Sequence, residues 1–228
     1  MDLDDVMRTT GAARSFTDQP VDDATLHRVL DAARFAPSGG NMQPWRVIVA
    51  KDAQVRADIV GLMVPVWREY IAQRMAGSRP FGLTDRGRWP GATIDLAEAR
   101  AQPVPFPLVD TLHDGVAMLV LLVELRLLAA MDAELDRHGI IGGASIYPFA
   151  QNVLLAGRAN GLGGVLTTFL ARHEPAARAV LGAPEGFGVA GVVFLGHVER
   201  HPTKLTRRPV ESFTTVDRFT GPAFSPTA

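Results

Sequence analysis

Two unbroken apolar runs, VAMLVLLVEL at 116–125 and GVVFLGHV at 191–198, set the strongest limit on how this chain can fold. A strand that is apolar on both sides needs cover on both sides, as in the middle of a sheet flanked by helices. The first run is too short to span a bilayer, and Arg126 follows it at once. Residues 1–20 (MDLDDVMRTTGAARSFTDQP) are acidic at the start and lack the apolar core of a signal peptide. The expectation is a soluble, cytoplasmic protein with a buried sheet.

Segments with helical spacing can supply the cover. Asp22 is placed to cap a helix with Leu26, Val29, Leu30 and Ala33 on one face, ending before Pro37. WRVIVA at 45–50 reads as a strand. Asp52 can cap a second helix with Val55, Ile59, Leu62, Met63, Trp67 and Tyr70 at apolar spacing, kinked at Pro65. Pro148 suits the first turn of a helix that runs through Asn160 and is ended by Gly161. GGVLTTFL at 163–170 reads as a strand or extended turn, and Glu174–Leu181 as a short helix. Between them, residues 77–111 are punctuated by Gly and Pro without sustained periodicity. That pattern suits a functional loop or lid, or a disordered insertion. From Arg200 the chain is a polar, Pro-containing arm. Interleaved helices and apolar strands give an α/β or α+β class.

Composition removes several functions. A chain of 228 residues is long enough to bury roughly 70% of its unfolded surface in one large domain without staples. It has no cysteine, which excludes disulfides, thiolate metal sites and a cysteine nucleophile. A net charge of −1 gives no electrostatic case for nucleic acid or anionic lipid. Only Lys51 and Lys204 are lysines, so arginine is the default cation here and a single Arg says little.

Three short patterns carry less than they promise. Gly186 to Gly191 match G-x-G-x-x-G, but the pattern precedes a strand and opens no helix, so it reads as a loop glycine cluster. His197 and His201 are four apart at a strand end with no third ligand, so no metal site is assigned. Neither Ser38 nor Ser145 sits in G-x-S-x-G.

APSGGNMQPW at 36–45 is different. It places Ser38, Gly39, Gly40, Asn41 and Gln43 between two prolines, at a helix-to-strand junction. Glycine lets a ligand approach the backbone, and the two carboxamides offer donors and acceptors to a heteroaromatic edge. A tight structural turn explains the glycines and prolines equally well.

The longer string A-P-S-G-G-N-x-Q-P-W-R-V-I-V closely resembles the signature of the FMN-dependent nitroreductase family. Arg14-Ser15-Phe16 upstream, and GLGGVLTTF and RRPVE downstream, occur in that family's order. The resemblance implies an α+β, three-layer α/β/α sandwich: a central mixed sheet covered by helices, with an extended C-terminal arm, in a single domain over 1–228. It implies a homodimer with FMN at the interface, each of two sites using both subunits. Pro37, Ser38, Gly39, Gly40 and Asn41 would line the isoalloxazine, with Gln43 nearby or supporting the loop. Thr167 and Thr168 match the segment whose backbone approaches the flavin N5 region. Arg14 would meet the ribityl or phosphate end, and Arg207 and Arg208 would close on the phosphate. Many members carry R-x-S-x-[RK]-x-F near the N-terminus. Counting back from Phe16, this chain has Thr10 and Ala12 at the first Arg and the Ser, with Arg8 one helical step earlier.

The implied activity is NADH- or NADPH-dependent reduction of a nitroaromatic, quinone or similar electron-poor acceptor, with ping-pong kinetics. No side chain is nominated as a catalyst, because the cofactor carries the chemistry. The alternatives are a flavin-binding protein for storage or signalling, and flavin-consuming or dehalogenating chemistry on the same scaffold.

Overall fold

A computed structural model describes residues 1–226. Its centre is a four-stranded sheet of β1 (Trp45–Val49), β2 (Ala117–Glu124), β3 (Gly163–Thr167) and β4 (Phe187–Gly196), in the order β1-β2-β4-β3. All three strand pairs are antiparallel. The parallel component of the expected mixed sheet is one bridge, from Ala12 to Gly164, which lays the N-terminal segment along β3.

β2 shows why the sheet needs two covers. Met118, Val120 and Leu122 pack with Ile59, Met63 and Phe194 on one side. Leu119, Leu121 and Val123 pack with Leu26, Val29, Phe149 and Val153 on the other. Alternate side chains of a strand leave by opposite faces, so this apolar run fills two cores. The first side is covered by α3 (Ala53–Met75) and α7 (Glu174–Leu181), the second by α2 (Asp23–Ala33) and α6 (Tyr147–Ala159). The result is the α+β three-layer sandwich.

The predicted caps form. Asp22 Oδ1 accepts from the Thr25 N–H at 2.8 Å, and Asp52 Oδ1 from the Val55 N–H at 2.9 Å. Gly161 follows α6 with φ +81°, a conformation glycine adopts without steric cost. Pro65 does not end α3, which runs on to Met75 and is 23 residues long in all, with Ile59, Met63 and Val66 buried. One lost backbone bond is outweighed by that apolar face.

Residues 3–9, which the sequence reading left unassigned, form a helix, α1 (Leu3–Thr9), capped by Asp2. Three readings need correction. The Gly186–Gly191 cluster is no loop: from Phe187 it lies within β4, where the register shifts between Leu121 and Leu122. GGVLTTFL is a strand only to Thr167, and Phe169–His173 is a 3-10 turn. The 77–111 segment is neither wholly irregular nor disordered. It contains α4 (Leu96–Ala101), capped by Asp95, and α5 (Pro107–Asp110), and it buries Ala99, Phe106 and Leu108. No helix among the described residues is long and apolar enough to cross a membrane.

Candidate functional site

The junction after α2 is built to hold its backbone in one shape. Gly39–Asn41 makes a single 3-10 turn. Gly40, Asn41 and Gln43 all have left-handed backbone, at φ +57°, +55° and +48°. For a residue with a Cβ this costs about 1–2 kcal/mol, so the surroundings must impose it. They do so from both sides. The buried Ser145 hydroxyl accepts the Gly39 N–H at 3.0 Å, and Ser38 Oγ accepts the Gln43 N–H at 2.9 Å. Gln43 Nε2 donates to Asn41 Oδ1 at 3.2 Å. Trp45 then fixes the exit by stacking on Phe149, with centroids 4.8 Å apart and planes 13° apart. Asn41 and Gln43 remain exposed.

A second constellation lies where β3 ends. The Ala13 N–H donates to Gly164 O at 2.9 Å, so the segment beside β3 delivers Arg14 to the same place as Thr167 and Thr168. These three line a cavity of about 300 Å³. Its walls are aromatic: Trp67 and Tyr70 from α3, Phe106 from the 77–111 segment, and Phe169 from the 3-10 turn. Trp67 stacks on Phe106 at 4.7 Å with planes 8° apart, and Phe169 meets both edge-on at 6.0 Å. The backbone at Thr167 is closely approached, since a Cβ on Gly191 would fall 2.8 Å from its carbonyl oxygen. Arg14 makes no ion pair among the described residues, and none of the lining side chains is acidic. A flat apolar slot with one uncompensated guanidinium at its rim fits a planar ring system carrying an anionic tail.

Within one protomer the predicted residues therefore fall into separate groups. Arg14, Thr167 and Thr168 meet at the cavity. Pro37, Ser38, Gly39, Gly40, Asn41 and Gln43 stand at the junction beside Ser145 and do not line it. Arg207 and Arg208 lie in the exposed arm: Arg207 donates to Thr206 O at 2.8 Å, and the Arg208 guanidinium lies 6.0 Å from the Phe213 ring. At the departed motif positions, the Thr10 hydroxyl donates to Val6 O at 2.6 Å and Ala12 makes the bridge to Gly164. Arg8 pairs with Asp4 on α1 at 2.7 Å. The aromatic walls escaped a reading of spacing, which had assigned Trp67 and Tyr70 only to an apolar helix face. Two large aromatics three apart on that face were the available signal.

Residues 8–87 match the model of the nitroreductase family. Over 231 residues the chain is 26% identical to a nitrobenzene nitroreductase of Ectopseudomonas oleovorans, spanning 93% of this chain and 96% of that one. A mutant FMN and NADPH-dependent nitroreductase from Sphigopyxis sp. strain HMH superposes with a TM-score of 0.62 at 21% identity, over 96% of this chain and 100% of that one. An iodotyrosine deiodinase bound to FMN and 3-iodo-L-tyrosine gives 0.64 at 19% identity, again over 96% and 100%. The structural likenesses establish the fold, and the family match covers the stretch that holds Arg14 and the APSGGNMQPW junction. On these grounds residues 8–87 resemble the nitroreductase family, and the chain as a whole shares the fold of these proteins.

Proposed function

We propose that this protein is an FMN-dependent oxidoreductase that carries reducing equivalents from NADH or NADPH to an electron-poor acceptor such as a nitroaromatic or quinone, the two substrates taking turns in one pocket. The observation that carries the reading is the convergence of Arg14, Thr167 and Thr168 on one aromatic-walled cavity. The names of similar proteins point the same way, to nitrobenzene reduction in one and to FMN and NADPH in another.

Bound FMN supplies hydride and electron transfer between the two substrates, so the protein need provide only binding, orientation and electrostatics. In this reading the backbone at Thr167 and Thr168 would hold the polar edge of the ring. Arg14 would hold the ribityl or phosphate end through charge-assisted hydrogen bonds. Trp67, Tyr70, Phe106 and Phe169 keep water from the reacting face and present a flat surface to an aromatic acceptor. The 36–45 junction and the Arg207–Arg208 pair complete the site from the partner of a homodimer. They stand apart from the cavity within a single copy, and the side chains of Asn41, Gln43, Arg207 and Arg208 are exposed.

The test is a visible spectrum of the FMN-reconstituted protein, followed by anaerobic addition of NADH or NADPH and then nitrobenzene. The oxidised flavin bands should bleach with reductant and return with the acceptor. A protein that stays colourless after reconstitution refutes the proposal, and so does a yellow one that neither reductant bleaches.

A further inference from the structure

Glu69 is a carboxylate with 0% of its surface exposed, in the same turn of α3 as Trp67 and Tyr70. Each oxygen meets a different guanidinium. Arg100 Nε, from α4 in the 77–111 segment, lies 2.5 Å from Oε1, and Arg172 Nε, from the 3-10 turn after Thr168, lies 2.9 Å from Oε2. Arg172 in turn sits 5.1 Å from the Phe81 ring and 5.0 Å from the Trp89 ring, both in the same segment. Neighbouring side chains of α3 add to the grip. Trp67 Nε1 donates to Pro105 O at 2.8 Å, Arg68 Nη1 to Arg100 O at 2.7 Å, and Gln73 Oε1 accepts the Phe81 N–H at 3.2 Å.

The two elements joined by Glu69 are two walls of the cavity. The 77–111 segment carries Phe106 and Leu108, and the 3-10 turn follows Thr168 directly and carries Phe169. An apolar side chain of similar size could fill the space under α4 with no loss of stability, because burying charge costs what the pairing returns. It would not fix the direction and spacing of two guanidinium groups at once, which two carboxylate oxygens do.

We infer that Glu69 is a positioning residue: by tying Arg100 to Arg172 it latches the 77–111 segment against the Thr168 turn, and so makes the cavity selective for flat aromatic acceptors. The kinetic half of this inference rests on the oxidoreductase reading, whereas the latch itself does not.

The experiment uses FMN-loaded wild type, Glu69→Gln and Arg100→Ala. Acceptor kcat/KM is measured with nitrobenzene, which needs the wall, and with ferricyanide, which takes electrons without one. Tryptic cleavage after the exposed Arg86 is followed in parallel by mass spectrometry. The expected result is a fall of about tenfold for nitrobenzene with ferricyanide unchanged, and cleavage faster by about the same factor in both variants. An equal fall with both acceptors marks general damage and overturns the inference, as does an unchanged ratio of the two or an unchanged cleavage rate. Arg100→Ala, whose side chain is 43% exposed, decides the matter if Glu69→Gln does not fold. Failure of the wild type to turn over either acceptor sinks the oxidoreductase reading, and the cleavage rates then decide the latch alone.

Discussion

Asn41 and Gln43 share an uncommon property, left-handed backbone at a side-chain-bearing residue. The strain is imposed chiefly by two hydroxyls. Ser38 acts from five residues away and Ser145 from 106. Ser145 is buried, and its Oγ accepts the Gly39 N–H that would otherwise lose its partner. Ser145→Ala should therefore lower unfolding free energy by about 1 kcal/mol in urea without changing the slope. If the loop serves the flavin, the same change should weaken FMN binding several-fold, read by titration of flavin fluorescence. Wild-type stability together with wild-type affinity would show that Ser145 does not set the loop. The polar richness of this junction was legible in the sequence; its anchor was not, because nothing local marks a serine 106 positions away as its partner.

Elements were legible in proportion to their length. β2 announces itself as an unbroken apolar run, α2 carries enough residues for its period to show, and the caps of α2 and α3 obey local chemistry. α4 has six residues and α5 four, too few turns for an amphipathic pattern to repeat, so an ordered segment read as irregular. The C-terminal arm is a third case, since its docking depends on contacts far apart in sequence. Gly11 lies so close beneath Pro202 that a Cβ there would fall 2.1 Å from the Pro202 carbonyl oxygen. Next to it, burial and then the charge of Arg158 hold His201 below the usual histidine pKa, partly opposed by its bond to the Gly161 backbone. The docked arm thus favours neutral His201, while an undocked histidine takes up a proton near pH 6.5. As pH falls below about 6.5 the undocked state binds more protons and gains stability, so docking weakens with acid and not with base. Amide exchange at 200–206, corrected for its intrinsic pH dependence, should rise on going from pH 7.5 to 5.5. His201→Gln should abolish that rise. An arm equally protected at both values would exclude His201 as the pH-sensitive group.

Assembly is the level at which the separate groups of predicted residues make sense together. The cavity holds Arg14, Thr167 and Thr168, while the junction and the arm present their polar groups outward. The arm also exposes large apolar side chains: Phe213 at 57%, Phe224 at 59% and Phe219 at 98%. Three exposed aromatics on one segment suit a surface that another copy covers. In the proposed homodimer the arm would bring Arg207 and Arg208 to the FMN phosphate opposite Arg14. Neither arginine makes an ion pair among the described residues, so their charges are uncompensated. The positions of Thr10 and Ala12 raise the weight on this pair, since a threonine bonded within its own helix and an alanine in a β-bridge offer the phosphate no cation. A charge-assisted hydrogen bond contributes about 1.5–3 kcal/mol, so Arg207→Ala combined with Arg208→Ala should raise the FMN Kd by roughly a hundredfold or more. Removing exposed arginines leaves the apolar contacts intact, so sedimentation should still show a dimer at micromolar concentration. Unchanged FMN affinity in the double variant would take the phosphate away from the arm. A wild type that sediments only as monomer would remove the shared site altogether, because a single copy does not bring the junction to the cavity.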